Sequence, residues 1–274
     1  MAYITLDHVS FEYPGGFLAV DDISMEIEKG ECIAIIGQNG AGKTTTVKML
    51  NGLLRPTKGD VIIGDMNSKD HTIAQMSRNV GYVFQNPDDQ IFHSTIYDEV
   101  AFGTKVLNKT EQETKKLVDY ALEITNLAQY RDVNPFNLPF SIRKFISIAA
   151  IIAMDTQVMI FDEPTAGQDL TGNLRLSSIL EHLHKEGKTL ITISHDMEFV
   201  VNNFDRVIVM ANKKVVTSGA PSEIFWNFEA LEKSMLKQPY VSRLCKTLNL
   251  GGNIVTMEET SQAILKAVNA KTVS

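Results

Sequence analysis

The sequence predicts an α/β fold with a mixed sheet, and three observations carry that prediction. Apolar runs at 31–36, 158–161, 189–193 and 207–210 are short and continuous, the pattern of parallel strands buried on both faces. Segments of helical period separate several of them, as a parallel sheet covered by helices requires. The stretch Gly37-Gln38-Asn39-Gly40-Ala41-Gly42-Lys43-Thr44 follows the first run and precedes a helical segment, so a glycine-rich turn joins strand to helix.

From the N-terminus, residues 1 to about 30 read as antiparallel strands. Ile4-Thr5-Leu6 and Ile23-Ser24-Met25-Glu26-Ile27 alternate apolar and polar, and Pro14-Gly15-Gly16 supplies the turn between them. Residues 31–36 form a short buried strand, 45–52 a helix that stops at Gly52, and Val61-Ile62-Ile63 a further strand. From about 88 to 155 the chain reads as mainly helical, with helices over 98–106 and 111–127. Leu176, Ile179, Leu180 and Leu183 fall at helical spacing before Gly187, a good helix stop. After about Pro221 the pattern changes to helical segments ending in a polar tail at 269–274.

The 274 residues are 44% hydrophobic and 22% charged, which suits one large domain or a domain with a small appendage. A formal net charge of -7 makes nonspecific nucleic-acid binding a poor expectation. The longest mostly apolar run, 145–154, is far short of the roughly 20 residues of a membrane span. The first residues lack a basic segment followed by an apolar core, so no secretory signal is expected. Cys32 lies in a predicted core strand, and two cysteines suggest no disulfide framework. These bounds point to a soluble cytoplasmic protein that can still dock on a membrane partner.

The turn at 37–44 has the form G-x-x-x-x-G-K-[ST]. Strand, glycine loop and helix N-terminus aim backbone N–H groups and the positive end of a helix dipole at one point. That point suits a polyphosphate, with Lys43 reaching the β- and γ-phosphates and the Thr44 hydroxyl ligating Mg²⁺. The run ending at Phe161 is followed by Asp162-Glu163-Pro164-Thr165. Asp162 is placed to hold Mg²⁺, and Glu163 to polarise the attacking water as general base. Alone such a pair often caps a following helix; beside the loop at Gly37 it becomes the second half of a nucleotide site.

Together these motifs resemble the nucleotide-binding domain of ABC-type P-loop ATPases over residues 1–228, with a helical subdomain at about 88–155. The resemblance implies ATP and Mg²⁺ as ligands, with Gly37, Asn39, Gly40, Ala41, Gly42, Lys43, Thr44 and Thr45 on ATP. Gln85, in Tyr82-Val83-Phe84-Gln85-Asn86-Pro87, matches the lid glutamine that contacts Mg²⁺ and water and senses the transmembrane partner. His195, in Thr192-Ile193-Ser194-His195-Asp196, matches the switch histidine at the γ-phosphate. Tyr13 matches the aromatic that stacks on adenine. Ala166-Gly167-Gln168-Asp169 matches the loop that crosses the dimer interface, with Gln168 where leucine is commoner.

One motif departs from the family. The signature Leu-Ser-Gly-Gly-Gln aligns with Leu138-Pro139-Phe140-Ser141-Ile142, followed by Arg143 and Lys144. In the family the serine and glycine amides bind the γ-phosphate of ATP held by the opposite subunit. Pro139 offers neither hydroxyl nor N–H, and Phe140 is bulky where glycine permits close approach. Leu138, Ser141 and Asp169 are the expected dimer-interface positions, and the signature reads as degenerate. A homodimer would have two impaired sites, whereas a heterodimer with a related ATPase would keep one good one.

The segment Val83-Phe84-Gln85-Asn86-Pro87-Asp88-Asp89-Gln90-Ile91-Phe92 and the following Asp98-Glu99-Val100-Ala101-Phe102-Gly103 look like the energy-coupling-factor, cobalt-type transporter ATPases. So does Asp162-Glu163-Pro164-Thr165-Ala166-Gly167. Residues 229–274 are similar in length to their C-terminal helical dimerisation segment. The resemblance implies uptake of a vitamin or transition-metal ion. The chain would sit peripherally at the cytoplasmic face of the cell membrane, beneath a transmembrane coupling protein and a separate substrate-binding membrane protein. Rival readings are a soluble ABC-type ATPase of DNA repair or translation and a regulatory subunit that binds nucleotide without hydrolysis. The first usually needs insertions or tandem domains for which this length has no room; intact Glu163 and His195 speak against the second.

Overall fold

Two long strands open the chain, β1 (Ala2–Tyr13) and β2 (Phe17–Glu28), paired antiparallel across the predicted turn. The computed structural model describes residues 2–250 and 252–272. Next come β3 (Cys32–Ile36), α1 (Lys43–Leu50), β4 (Lys58–Ile63), β5 (Met66–Asn67), α2 (Ile73–Met76) and β6 (Val80–Val83). The helical region holds α3 (Ile96–Val106), α4 (Glu111–Ile124) and α5 (Phe140–Ala153). Then follow β7 (Val158–Asp162), α6 (Leu170–Lys185), β8 (Thr189–Ile193), α7 (Met197–Asn203), β9 (Arg206–Ala211) and β10 (Lys214–Gly219). The chain continues through α8 (Pro221–Ile224), α9 (Phe228–Lys233), α10 (Tyr240–Thr247) and α11 (Met257–Thr272).

Two sheets result. One is antiparallel, in the order β2-β1-β4-β5; the other runs β10-β9-β3-β8-β7-β6 and is parallel except for β10 at its edge. The larger sheet explains the continuous apolar runs. Along β3, Ile33 and Ile35 face a core shared with the antiparallel sheet and α1, while Cys32, Ala34 and Ile36 face the core under the helices. β7 divides the same way, with Val158 and Ile160 on one side and Met159 and Phe161 on the other. Each strand residue therefore leaves water whichever way it points.

Element ends follow local capping. α1 starts two residues before the sequence-based expectation because Gly42 is its N-cap. α3 starts at Ile96 because the Thr95 side chain accepts from the Asp98 N–H. A capping box of Thr110 and Glu113 starts α4, which ends three residues short of the expected 127, at a Thr125 cap followed by Asn126 at φ +50°. β6 is an unforeseen strand, a four-residue run interrupted by Gly81. A Cβ there would lie 2.5 Å from Ile151 Cγ2, so glycine lets β6 and α5 meet. The C-terminal helices are anchored rather than separate. Leu231 and Val255 join the main core, and Trp226 Nε1 donates to Ile254 O at 2.9 Å. α11 carries the expected polar tail in helical form through Thr272; the rest of that tail, 273–274, lies outside the described residues.

Phe161 is wholly buried one residue before Asp162. Phe161→Ala should cost roughly 3–5 kcal/mol, seen as a lower urea midpoint at an unchanged slope.

Candidate active site

The main groups of the candidate site leave from the carboxyl ends of parallel strands. β3 runs into the glycine turn and α1, β7 ends at Asp162 with Glu163 next, β8 leads to His195, and β6 leads to Gln85. Register sets these ends side by side: Ile35 and Asp162 both face Ile193, and Val83 faces Phe161. A crevice outside the carboxyl ends of strands is where open α/β sheets place ligands.

The turn wraps the Lys43 ammonium. Lys43 Nζ donates to Gly37 O at 2.8 Å and Gln38 O at 3.1 Å, and lies 3.4 Å from His195 Nε2. Burial holds this ammonium below its usual range, while Glu163 and Asp162 act the other way. The turn depends on glycine at two close approaches. A Cβ on Gly37 would lie 2.1 Å from Met210 O, and one on Gly42, at φ +98°, would lie 2.6 Å from Ala19 O. Gly42 brings no side-chain cap to α1, so the first-turn N–H groups stay available to an anion.

Asp162 is buried, with Oδ1 3.5 Å from the Thr44 hydroxyl and Oδ2 accepting from the Tyr82 hydroxyl at 2.7 Å. Burial and the charge of Asp162 push the Tyr82 phenol up, which keeps it a donor. Glu163 sits at φ +48°, a left-handed conformation costing about 1 kcal/mol for a residue with a Cβ. Its N–H donates to Ile193 O at 3.0 Å, and its Oε2 accepts the His195 N–H at 3.2 Å. Oε1 lies 3.2 Å from His195 Nε2 yet takes no well-aligned hydrogen bond. Lysine only donates, so Nε2 serves Lys43 as an acceptor and leaves Oε1 without a donor. Burial pushes the Glu163 carboxyl up to about 7, against the His195 N–H and the Lys43 charge. Burial, then the Lys43 charge, hold His195 below the usual imidazole range, so its neutral form is favoured.

Asn39, Gly40, Ala41, Gly42, Lys43, Thr44, Thr45, Gln85, Glu163 and His195 line one cavity of about 340 Å³. Tyr13, at the end of β1, reaches the start of α1, with its hydroxyl 3.2 Å from Thr45 Oγ1 and its ring edge-on to Phe11. Leu138, Ser141 and Asp169 are not in that lining. A larger groove of about 510 Å³ between α6 and α7 gathers none of the motif residues. Sequence reasoning missed Tyr82, whose signal was a phenol inside a short apolar run.

A family model for the ABC transporter matches residues 20–166. The chain belongs to the ABC transporter family. It is an ATPase subunit of that family and resembles the energy-coupling-factor type. It is 39% identical to the energy-coupling factor transporter ATP-binding protein EcfA2 of Clostridium tetani, over 97% of this chain and 96% of that one. It is 38% identical to EcfA of Methanocaldococcus jannaschii, over 89% of this chain and 88% of that one. The solved structure of cbiO1 from Clostridium perfringens, described as part of the ABC transporter complex cbiONQ, superposes with a TM-score of 0.77. It is 33% identical, covering 89% of this chain and 99% of that one.

The stretch Leu138-Pro139-Phe140-Ser141-Ile142, expected from the sequence to be a degenerate signature, opens α5. Pro139 is the N-cap and makes no side-chain cap bond. The Phe140 ring lies against Gly167, where a Cβ would be 2.9 Å from Phe140 Cε1. Gln168 Nε2 donates to Ser141 O at 3.1 Å. Phe140 and Gln168 thus tie the same pair of loops together within one chain.

Gly37→Ala should lower folding stability by about 2–4 kcal/mol, because its Cβ meets backbone rather than a movable side chain. A urea melt matching the wild type would show that the turn does not pack on Met210 as described.

Proposed function

We propose that this chain is the ATP-hydrolysing subunit of an energy-coupling-factor type transporter for a vitamin or transition-metal ion, paired asymmetrically with a second, related ATPase. One observation carries the reading: Lys43, Glu163 and His195 line one cavity, with buried Asp162 behind it against the Thr44 hydroxyl, while the signature in the same chain begins Pro139-Phe140. The chain offers a hydrolytic half-site and needs a partner's signature to complete it.

In this reading the N–H groups of 39–45 and the Lys43 ammonium hold the phosphates of ATP, and Tyr13 stacks on adenine. A hydroxyl and a carboxylate oxygen 3.5 Å apart, Thr44 Oγ1 and Asp162 Oδ1, form a hard oxygen donor set that fits Mg²⁺. Thr44, Asp162 and Gln85 would hold that ion, which when bound neutralises charge on the β- and γ-phosphates. Glu163 takes the proton of the attacking water through Oε1, its unpaired oxygen. The water oxygen bonds to the γ-phosphorus as the bond to the ADP oxygen breaks. Neutral His195 touches the γ-phosphate and orients Glu163 through its backbone N–H. Asp169, which caps α6 by accepting the Gly172 N–H at 2.7 Å, would meet the partner ATPase together with Leu138 and Ser141.

The assignment divides the chain into a nucleotide-binding domain, 1–228, and a dimerisation segment, 229–274. Tyr240, Leu244 and Leu248 recur every four residues along α10 and its cap and stay exposed, which supports a contact face there. Phe92 and Phe102 are exposed and edge-on at 4.9 Å, which supports docking of a transmembrane coupling protein beside the Gln85 loop. Among the described residues no helix is long and apolar enough to cross a membrane. The likeness to energy-coupling-factor ATPases supports a peripheral subunit at the cytoplasmic face, with the substrate-binding membrane protein as a further partner.

Affinity purification from solubilised membranes should recover a second ATPase and membrane proteins with this chain. Fast ATP hydrolysis by the purified chain alone, with ATP-dependent self-dimers, would sink the asymmetric pairing. In the recovered complex, Glu163→Gln should keep ATP affinity and slow turnover on the order of 10²-fold or more; retained turnover would remove Glu163 as the base.

A further inference from the structure

Lys144 heads the large side chains that are wholly sealed from solvent. A buried ammonium needs acceptors to offset lost hydration, and Lys144 finds two consecutive backbone carbonyls, Phe84 O at 3.2 Å and Gln85 O. Nothing in the hydrolytic scheme uses this lysine. Its neighbour Arg143 grips the same loop further along. Arg143 Nε donates to Asp88 Oδ1 at 2.8 Å, Nη2 to Asp88 Oδ2 at 3.2 Å, and Nη1 to Leu138 O at 2.7 Å. Gln90 closes the loop, its Oε1 accepting the Phe84 N–H at 3.2 Å and its Nε2 donating to Ser147 O at 3.2 Å. Residues 84–90 are therefore fastened to α5 at three points, Arg143, Lys144 and Ser147. Of the three gripping side chains only that of Lys144 is wholly buried, and it holds the carbonyl of Gln85, a residue that lines the nucleotide cavity.

We propose that Lys144 is a positioning residue for Gln85. It fixes the Gln85 loop to the helix that begins at the altered signature, so that Gln85 moves with α5 rather than with β6. Two carbonyls that would otherwise diverge after the last β6 residue are held by one cation, and a side chain that merely filled volume would need no donors there. The proposal rests on the assignment of Gln85 to the hydrolytic site.

The test compares Lys144→Met, which keeps length and loses the donors, with Lys144→Arg, which keeps donors, in the transporter complex recovered with its partners. In Lys144→Met, amide hydrogen exchange over 84–90 should quicken about tenfold, and kcat should fall about tenfold with the KM for ATP within about twofold. Lys144→Arg should restore both. Gln85→Ala should lower kcat similarly, and the double variant should be no slower than either single one. Wild-type exchange and turnover in Lys144→Met, or losses that multiply with Gln85→Ala, would overturn the proposal. If Gln85→Ala leaves kcat unchanged, the assignment of Gln85 falls, and the exchange experiment alone still decides whether Lys144 holds the loop. Should Lys144→Met not fold, Asp88→Asn releases the loop from its exposed side. It should quicken the same amides about threefold, and unchanged exchange there would overturn the fastening.

Discussion

The parallel register of β3, β8 and β7 is the constraint on which the rest of this protein depends. These strands are buried on both faces, so nothing along their length can present polar chemistry to a ligand. Polar groups have to gather at the ends. Pairing of Asp162 and Ile35 with Ile193 brings the glycine turn, the two carboxylates and His195 to one edge of the sheet. The antiparallel sheet adds Tyr13 from one side, and β6 adds Tyr82 and Gln85 from the other.

The site gathered there is electrostatically tense. Lys43 is buried and its charge is shared among two carbonyls and an imidazole. Glu163 is held in a left-handed conformation with one buried oxygen lacking a hydrogen bond and a raised carboxyl. The helix behind the turn has no side-chain cap. Each of these is costly in a core and useful beside a polyphosphate, which brings acceptors for the lysine and amides, and beside a water, which brings a donor for Glu163.

The segment 138–142, expected from the sequence to be a degenerate signature, does more in the structure than lack glycines. Phe140 packs on Gly167, and Gln168 reaches the carbonyl of Ser141, so the signature and the loop after Glu163 are bound within one chain. Arg143 and Lys144, one turn further on, bind the Gln85 loop. The start of α5 is thereby a junction between three loops: its own N-terminal loop, the loop after Glu163 and the Gln85 loop. Changing it alters how those loops are held together.

The amino-acid sequence by itself determined the fold class and the local parts of the site. The glycine turn, the apolar run before Asp162-Glu163 and the helix stops are short-range patterns, and their physical causes are short-range too. Likewise the departure at Pro139-Phe140 is visible wherever glycine is absent from a place that needs it. Only the tertiary structure decided which groups serve which. The partner of Tyr82 lies 80 residues away at Asp162, and that of Lys144 lies 59 residues away at Gln85. β6 and β10 also escaped sequence reading, because one is broken by Gly81 and the other is an edge strand whose burial alternates between half-buried and exposed. A lysine following a helix start looks solvated in one dimension. It is buried here because β6, the loop after it and α5 close around it, and no local pattern records that closure.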